Sequence, residues 1–186
     1  MIAVIEIESI DPKFFEILDS VTTDYFVTSK EEELLKADKV IIPNFQDLQL
    51  GMKKLNKLNI YPQLKMMRKP VLVCGIASAI LVNYCEKMRL PGLGVIDGRI
   101  ENLEFVEGKK EILLIDNCSI LNGTTTDGFY FSNEFYLPKC CTTKAVIKDH
   151  PELSAVFEKE NFHAVTFTLE NSGQNGITIL KNFISL

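Results

Sequence analysis

The sequence predicts an α/β fold: a mostly parallel central sheet flanked by helices, with an antiparallel strand extension in its second half. Two observations carry the prediction. Up to Glu86, short apolar runs of strand length alternate with stretches whose apolar residues recur at helical spacing, the pattern of a buried parallel sheet covered by helices. Beyond Leu90 the chain changes character, and Gly92, Gly94 and Gly98 punctuate short strand-like runs.

The elements follow in order. Ile2 to Ile7 reads as a buried first strand. Asp11 and Pro12 then supply an N-cap and a proline at the first helical position, and Phe14, Phe15, Leu18 and Val21 form the apolar stripe of that helix. Asp24 to Thr28 is a second strand, and Ser29 with Glu32 matches a capping box. Val40 to Ile42 is a third strand, ended by Pro43, after which Leu48, Met52, Leu55 and Leu58 share one helical face. Pro70 to Cys74 is a fourth strand, and Ile76 to Glu86 is expected to leave it as a helix through a tight turn at Gly75.

In the second half, Glu111 to Ile115, Gly128 to Tyr136 and Cys140 to Ile147 read as antiparallel pieces, with Asp127–Gly128 as a turn signal. Ala155 to Phe157 and Phe162 to Phe167 read as closing strands. Gly173 to Phe183 is a final helix carrying Ile177, Leu180 and Phe183. With no repeat, linker or low-complexity stretch, residues 1–186 are expected to form one domain.

Composition narrows the function classes. A net charge of -5, with no dense Lys/Arg stripe, argues against nucleic-acid binding, and Lys53–Lys54 and Lys109–Lys110 read as solvated faces. No apolar run approaches the ~20 residues of a membrane helix, and Met1 to Ile5 has neither a basic leader nor a cleavage site. Neither a membrane nor a nucleic-acid partner is therefore expected. The five cysteines show no metal-ligand spacing, so no metal or cofactor is expected, and reduced thiols place the chain in the cytoplasm.

Three segments in order then carry a resemblance. They are Lys69 to Leu81 (KPVLVCGIASAIL), Pro91 to Arg99 (PGLGVIDGR), and Phe162 to Phe183, which ends in S-G-x-x-G-x-x-x-L-x-N-F. Together with the aromatic run Phe129–Tyr130–Phe131 they resemble the class I glutamine amidotransferases, specifically the HisH-like glutaminase subunit of imidazole glycerol phosphate synthase. The resemblance implies that family's flavodoxin-like fold. It also implies a site built from a cysteine on a strand-to-helix elbow, a histidine base, an orienting glutamate and an oxyanion loop.

Carried over residue by residue, the family's cysteine falls on Gly75, its histidine on Thr168 and its glutamate on Glu170, so Glu170 alone is retained. A threonine hydroxyl cannot accept a proton near neutral pH. Sliding the register to make Cys74 the nucleophile would flank it with Leu72 and Ile76 and turn the strand's side chains to the other face, so Cys74 reads as a core cysteine. The oxyanion-loop positions Asn44, Phe45 and Gln46 lack the family's glycines, and the amide-reading position is Ala79. The family's histidine–serine pair falls on Asn133–Glu134. His163 reads as a partly exposed edge or strand-start residue, and His150 as a loop residue.

Three readings of function follow. The first is a catalytically inactive interaction or regulatory subunit that docks on a (βα)8-barrel cyclase-type partner, the partner that the resemblance implies. The second is an active glutaminase or hydrolase using Cys74. The third is a small-molecule binding module using a cleft left vacant around Gly75, Ala77, Ser78 and Ala79. Histidine biosynthesis and amidation of a surface sugar are both compatible with the resemblance. Against the first reading stands the loop after the first strand, where the family's glycine–asparagine stretch is replaced by Glu8 to Pro12.

Overall fold

A computed structural model describes residues 1–86, 88–100, 106–133 and 137–186. The first half runs β1 (Ile2–Ile5), α1 (Pro12–Asp19), β2 (Tyr25–Thr28), α2 (Glu31–Leu34), β3 (Lys39–Ile42), α3 (Leu48–Lys57), α4 (Ile60–Met66) and β4 (Val71–Cys74). A 3₁₀ segment, Gly75–Leu81, leads into β5 (Val82–Cys85), β6 (Leu90–Pro91), β7 (Ile96–Ile100), β8 (Val106–Lys110) and β9 (Ile112–Leu114). The chain closes with β10 (Phe129–Asn133), β11 (Leu137–Pro138), β12 (Thr143–Ile147), β13 (His150–Lys159), β14 (Phe162–Val165) and α5 (Gln174–Ser185).

The main sheet has the order β2-β1-β3-β4-β14-β13-β12-β9, with β11 also on β13. Pairing is parallel from β2 to β14 and antiparallel beyond it. This is the expected parallel sheet with an antiparallel extension. Alternation along each strand separates two cores. Ala3, Ile5, Val40, Ile42, Val71 and Val73 pack with the apolar stripes of α2, α3 and α4. Ile2, Val4, Ile41, Leu72 and Cys74 pack with Phe14 and Leu18 of α1 and Ile179, Leu180 and Phe183 of α5.

Local signals explain several boundaries. Asp11 caps α1 by accepting from Lys13 N (2.9 Å), with Pro12 at the first position, and Asp47 caps α3 through Leu50 N (2.9 Å). The box at Ser29–Glu32 is displaced: Thr28 Oγ1 accepts from Lys30 N and donates to Glu33, because α2 starts at Glu31. Leu58 lies past the end of α3 and is exposed, and Ile177 of α5 is only half-buried. Lys54 is not simply solvated, since its ammonium donates to Ile7 O (3.0 Å).

The largest departure lies after β4. Residues 75–81 wind as a 3₁₀ segment and 82–85 form a strand, where the sequence suggests one helix. The carbonyls that such a helix would use internally are taken from outside: Leu93 N donates to Ile80 O (2.6 Å), Gly94 N to Val82 O (3.0 Å) and Gly92 N to Asn83 O (3.0 Å). Val82, Tyr84 and Cys85 then pair with β7 in parallel. Tertiary hydrogen bonding overrides a helical spacing that the sequence does contain.

Candidate functional site

The order β2-β1-β3-β4-β14 places a topological switch point between β1 and β3, where open α/β sheets bind ligands at the strand carboxyl ends. The loops after β1, β3, β4 and β14 meet there, and each carries a residue singled out above.

The turn after β4 is a sharp one. Gly75 has φ +59°, the left-handed geometry of a sharp strand-to-helix turn. A Cβ at this position would lie 2.7 Å from Asn44 Cγ and closer still to Oδ1. Asn44 reaches this point because β3 and β4 are neighbours, with Ile42 opposite Val73, so the loop after β3 leans over the end of β4. Its Oδ1 also accepts from Ile76 N at 2.9 Å. In an elbow of this kind the N–H following the nucleophile supplies half of the oxyanion hole. One carboxamide therefore fills the side-chain space at position 75 and engages the adjacent N–H.

The rest of the loop after β3 is equally engaged. Phe45 is buried, its ring seated against Gly51 of α3. The Gln46 and Asp47 amides donate to Glu8 Oε2 at 2.9 and 3.1 Å, and Gln46 Nε2 donates to Ser9 O at 3.2 Å. Cys74 is fully buried on the face opposite Val73. Burial pushes its thiol well above the ordinary value, and the Glu170 charge pushes the same way. Thiolate activation needs a cation, a base or a helix dipole, whereas the neighbour acting on Cys74 is an anion.

Ala79 is buried within the 3₁₀ segment, as are Ala77 and Ser78. The expected vacancy around Gly75 is thus filled by packing and by Asn44. The open space lies instead beside Thr168 and Glu170, as a cavity of ≈ 140 Å³ reaching Ser9, Asp11 and Asn44.

Thr168 is buried and held by Tyr130: its N donates to Tyr130 O at 2.9 Å, and its Oγ1 to the same oxygen at 3.3 Å. Ser172 Oγ closes the loop by donating to Thr168 O (2.6 Å) and accepting from Tyr130 N (3.0 Å). Glu170 borders the cavity with a buried Oε2 that has no hydrogen-bond partner. Burial raises its carboxyl above the ordinary range, its own backbone N–H opposes this, and Asp11 adds to the rise. The folded state thus holds the proton more tightly than the unfolded chain, so this group's contribution to stability falls as pH rises through the carboxylate range. Glu170→Gln is expected to be more stable than the parent at neutral pH, with the gap closing toward pH 4. Urea midpoints measured across that range check it.

His163 is not an edge residue. It sits in β14 between β4 and β13, buried, with Nδ1 3.0 Å from Glu158 Oε1 and its ring against Phe183. Burial pushes Glu158 up, but hydrogen bonds from His163 and Cys118 prevail and hold its carboxyl below the ordinary value. His150 opens β13 rather than a loop. Asn133 ends β10, and Glu134 lies outside the described residues. Among the described residues no cluster of His, Cys, Asp and Glu is arranged to hold a metal ion, and no helix is long and apolar enough to cross a membrane.

This geometry can be set beside known proteins. No family model matches the chain. The imidazole glycerol phosphate synthase subunit HisH of Bacteroides thetaiotaomicron is 29% identical over 170 residues, 86% of each chain. That of Haemophilus influenzae is 25% identical over 165 residues, 85% of this chain and 83% of the relative. A crystal structure of a glutamine amidotransferase superposes with a TM-score of 0.77 at 12% identity, covering 99% of this chain and 97% of the other. The chain is HisH-like and has the fold of the class I glutamine amidotransferases. A putative GMP synthase protein of Thermoplasma acidophilum, with a TM-score of 0.75 at 15% identity over 99% of this chain and 92% of the other, shares the fold.

Of the three positions singled out at the elbow, base and orienting places, Thr168 and Glu170 line the switch-point cavity, and Gly75 lies beneath Asn44, which lines it. What the sequence did not display is that Asn44 accepts from the Ile76 N–H and that Glu8 accepts from the Gln46 and Asp47 amides. The available signal was the polar residues Glu8 and Asn44 in the loops after β1 and β3.

Proposed function

We propose that this HisH-like chain is a non-catalytic subunit that acts by docking on a (βα)8-barrel cyclase-type partner. The observation that carries the reading is Gly75 at φ +59° with the Asn44 carboxamide in the space of its missing side chain. An amide-cleaving site of this family needs a thiol at that point, a free N–H beside it and an imidazole across the cleft. Here the first space is filled, the Ile76 N–H is bonded, and the third position is a threonine whose oxygen is tied to Tyr130. The alternative using Cys74 is disfavoured by its burial and by the anion that acts on it.

Support for an interaction role comes from what persists. The matched relatives are named as subunits of a synthase, and the match spans most of both chains. The backbone elbow and the closing segment remain in place although the reactive atoms are gone, as selection for shape rather than chemistry would leave them. In this reading the chain is cytoplasmic and heterodimeric. Copurification of the tagged chain from its own cells at low salt tests it. A barrel-type subunit recovered in a one-to-one complex is the expected result; a chain that elutes alone at every salt concentration would count against docking.

A further inference from the structure

Among the described residues, the two most exposed large apolar side chains are Met66 at 79% and Leu35 at 67%. They are not scattered. Both line one groove of ≈ 320 Å³ between the end of α2 and the end of α4, together with buried Leu34 and Met67. Lys69 ties the two walls together, its ammonium donating to Leu35 O (2.8 Å) and to Ala37 O. The groove is therefore built into the fold. Because α2 leads into β3 and α4 into β4, it opens at the amino ends of the strands, the far end of the sheet from the switch-point cleft.

Apolar side chains exposed side by side within a polar rim mark an interaction surface. This rim is divided by sign. On the α2 side stand Glu31, Glu32 and Glu33, whereas the stretch from Ile60 to Lys69 on the α4 side holds Lys65, Arg68 and Lys69 and no acid. Lys30, which precedes the glutamates, lies 3.6 Å from Glu33. Among the described residues Glu32 has no ion pair, and Arg68, on the groove wall, has only a 3.9 Å contact with exposed Glu160, which is worth little. An apolar strip with an acidic wall and a basic wall complements itself after half a turn: each acidic wall then faces the other's basic wall, and the apolar strips meet on the axis. We infer that a second copy of the chain docks in this groove as a twofold dimer, with the α2 wall of one copy on the α4 wall of the other. Both halves of the contact belong to one patch, so association closes at two and does not grow into a filament. The patch stands at the small end of interface sizes, so the dimer is a transient one, with a Kd on the order of 10–100 μM. The cleft ends of both copies stay free, so the inference goes beyond docking on a barrel partner and does not depend on it.

The test is sedimentation velocity of the intact purified chain, at concentrations from well below to well above that Kd and in dilute salt. The sedimentation coefficient is expected to rise with concentration to the value of a dimer and stop there. Met66→Glu, which places a charge in the apolar strip, should weaken the dimer at least about tenfold while the melting temperature holds, because the side chain is exposed. Glu32→Lys and Arg68→Glu should each weaken it by setting like charges across the axis. Combined in one chain, they should bring the affinity back to within about threefold of the parent. That recovery separates a specific twofold contact from simple stickiness of an apolar patch. A chain that stays monomeric at every concentration would overturn the inference and leave the groove to a different partner. Growth beyond the dimer, a dimer that folded Met66→Glu keeps at full strength, or a double variant as weak as the single ones would overturn it too. The purified chain alone is measured, so failure here leaves the copurification of a barrel-type subunit untouched.

Discussion

Gly75→Cys, the substitution that restores the family's residue at the elbow, is expected to cost roughly 2–5 kcal/mol of stability. Two effects add. A side chain at φ +59° carries left-handed strain, and its Cβ would press into the Asn44 carboxamide. Asn44→Gly on its own costs about 1–3 kcal/mol, because it strips the part-buried Ile76 N–H of its acceptor. If the two residues share one space, the double variant will be less destabilised than the sum, by about 1–3 kcal/mol. Urea denaturation of all four proteins measures the coupling. Simple additivity would mean that Asn44 does not occupy the place of the missing side chain. Even in the double variant no glutaminase activity is expected, since Thr168 cannot serve as the base.

Phe167→Ala is expected to have the other large effect, about 3–5 kcal/mol. The ring is fully buried, with centroids 4.7 Å from Phe129 and 5.5 Å from Phe131. It joins the loop after β14 to β10, one residue before Thr168, so the void would open directly under the cleft. Phe167→Leu, which keeps most of the volume, should lose less than half as much. A shift in denaturation midpoint at unchanged slope checks both. An alanine variant within about 1 kcal/mol of the parent would show that this aromatic cluster does not hold the loop.

The parts of the fold that could be read from sequence are those whose signals are local. Asp11–Pro12 opens α1 as expected, β3 stops at Pro43, and the spacing of Leu48, Met52 and Leu55 marks the buried face of α3. The segment after Cys74 misled because Ile76, Ile80 and Leu81 do repeat at helical spacing. The deciding bonds come from residues 92–94, which no local pattern reveals. His163 does stand near the start of β14, one of the two places expected for it, but the edge alternative fails because strand order cannot be read along a chain and β14 proves to be central.

The site shows the same division. Gly75, Thr168 and Asn44 could be singled out from the aligned motifs alone, as expectations of the resemblance. From sequence, Asn44 reads only as a position without glycine's backbone freedom. Its position over Gly75 depends on β3 and β4 being neighbours, and that is a property of the sheet. Glu170 could be singled out from the motif, but its unpartnered oxygen and the cavity beside it could not.

The central claim is that this scaffold holds no thiol able to attack an amide. Ammonia release from glutamine, measured for the purified chain alone and in its copurified complex beside Cys74→Ala, tests it most directly. Release indistinguishable between parent and variant, and at the level of buffer, is the predicted result. Turnover by the parent that disappears in Cys74→Ala would contradict the account.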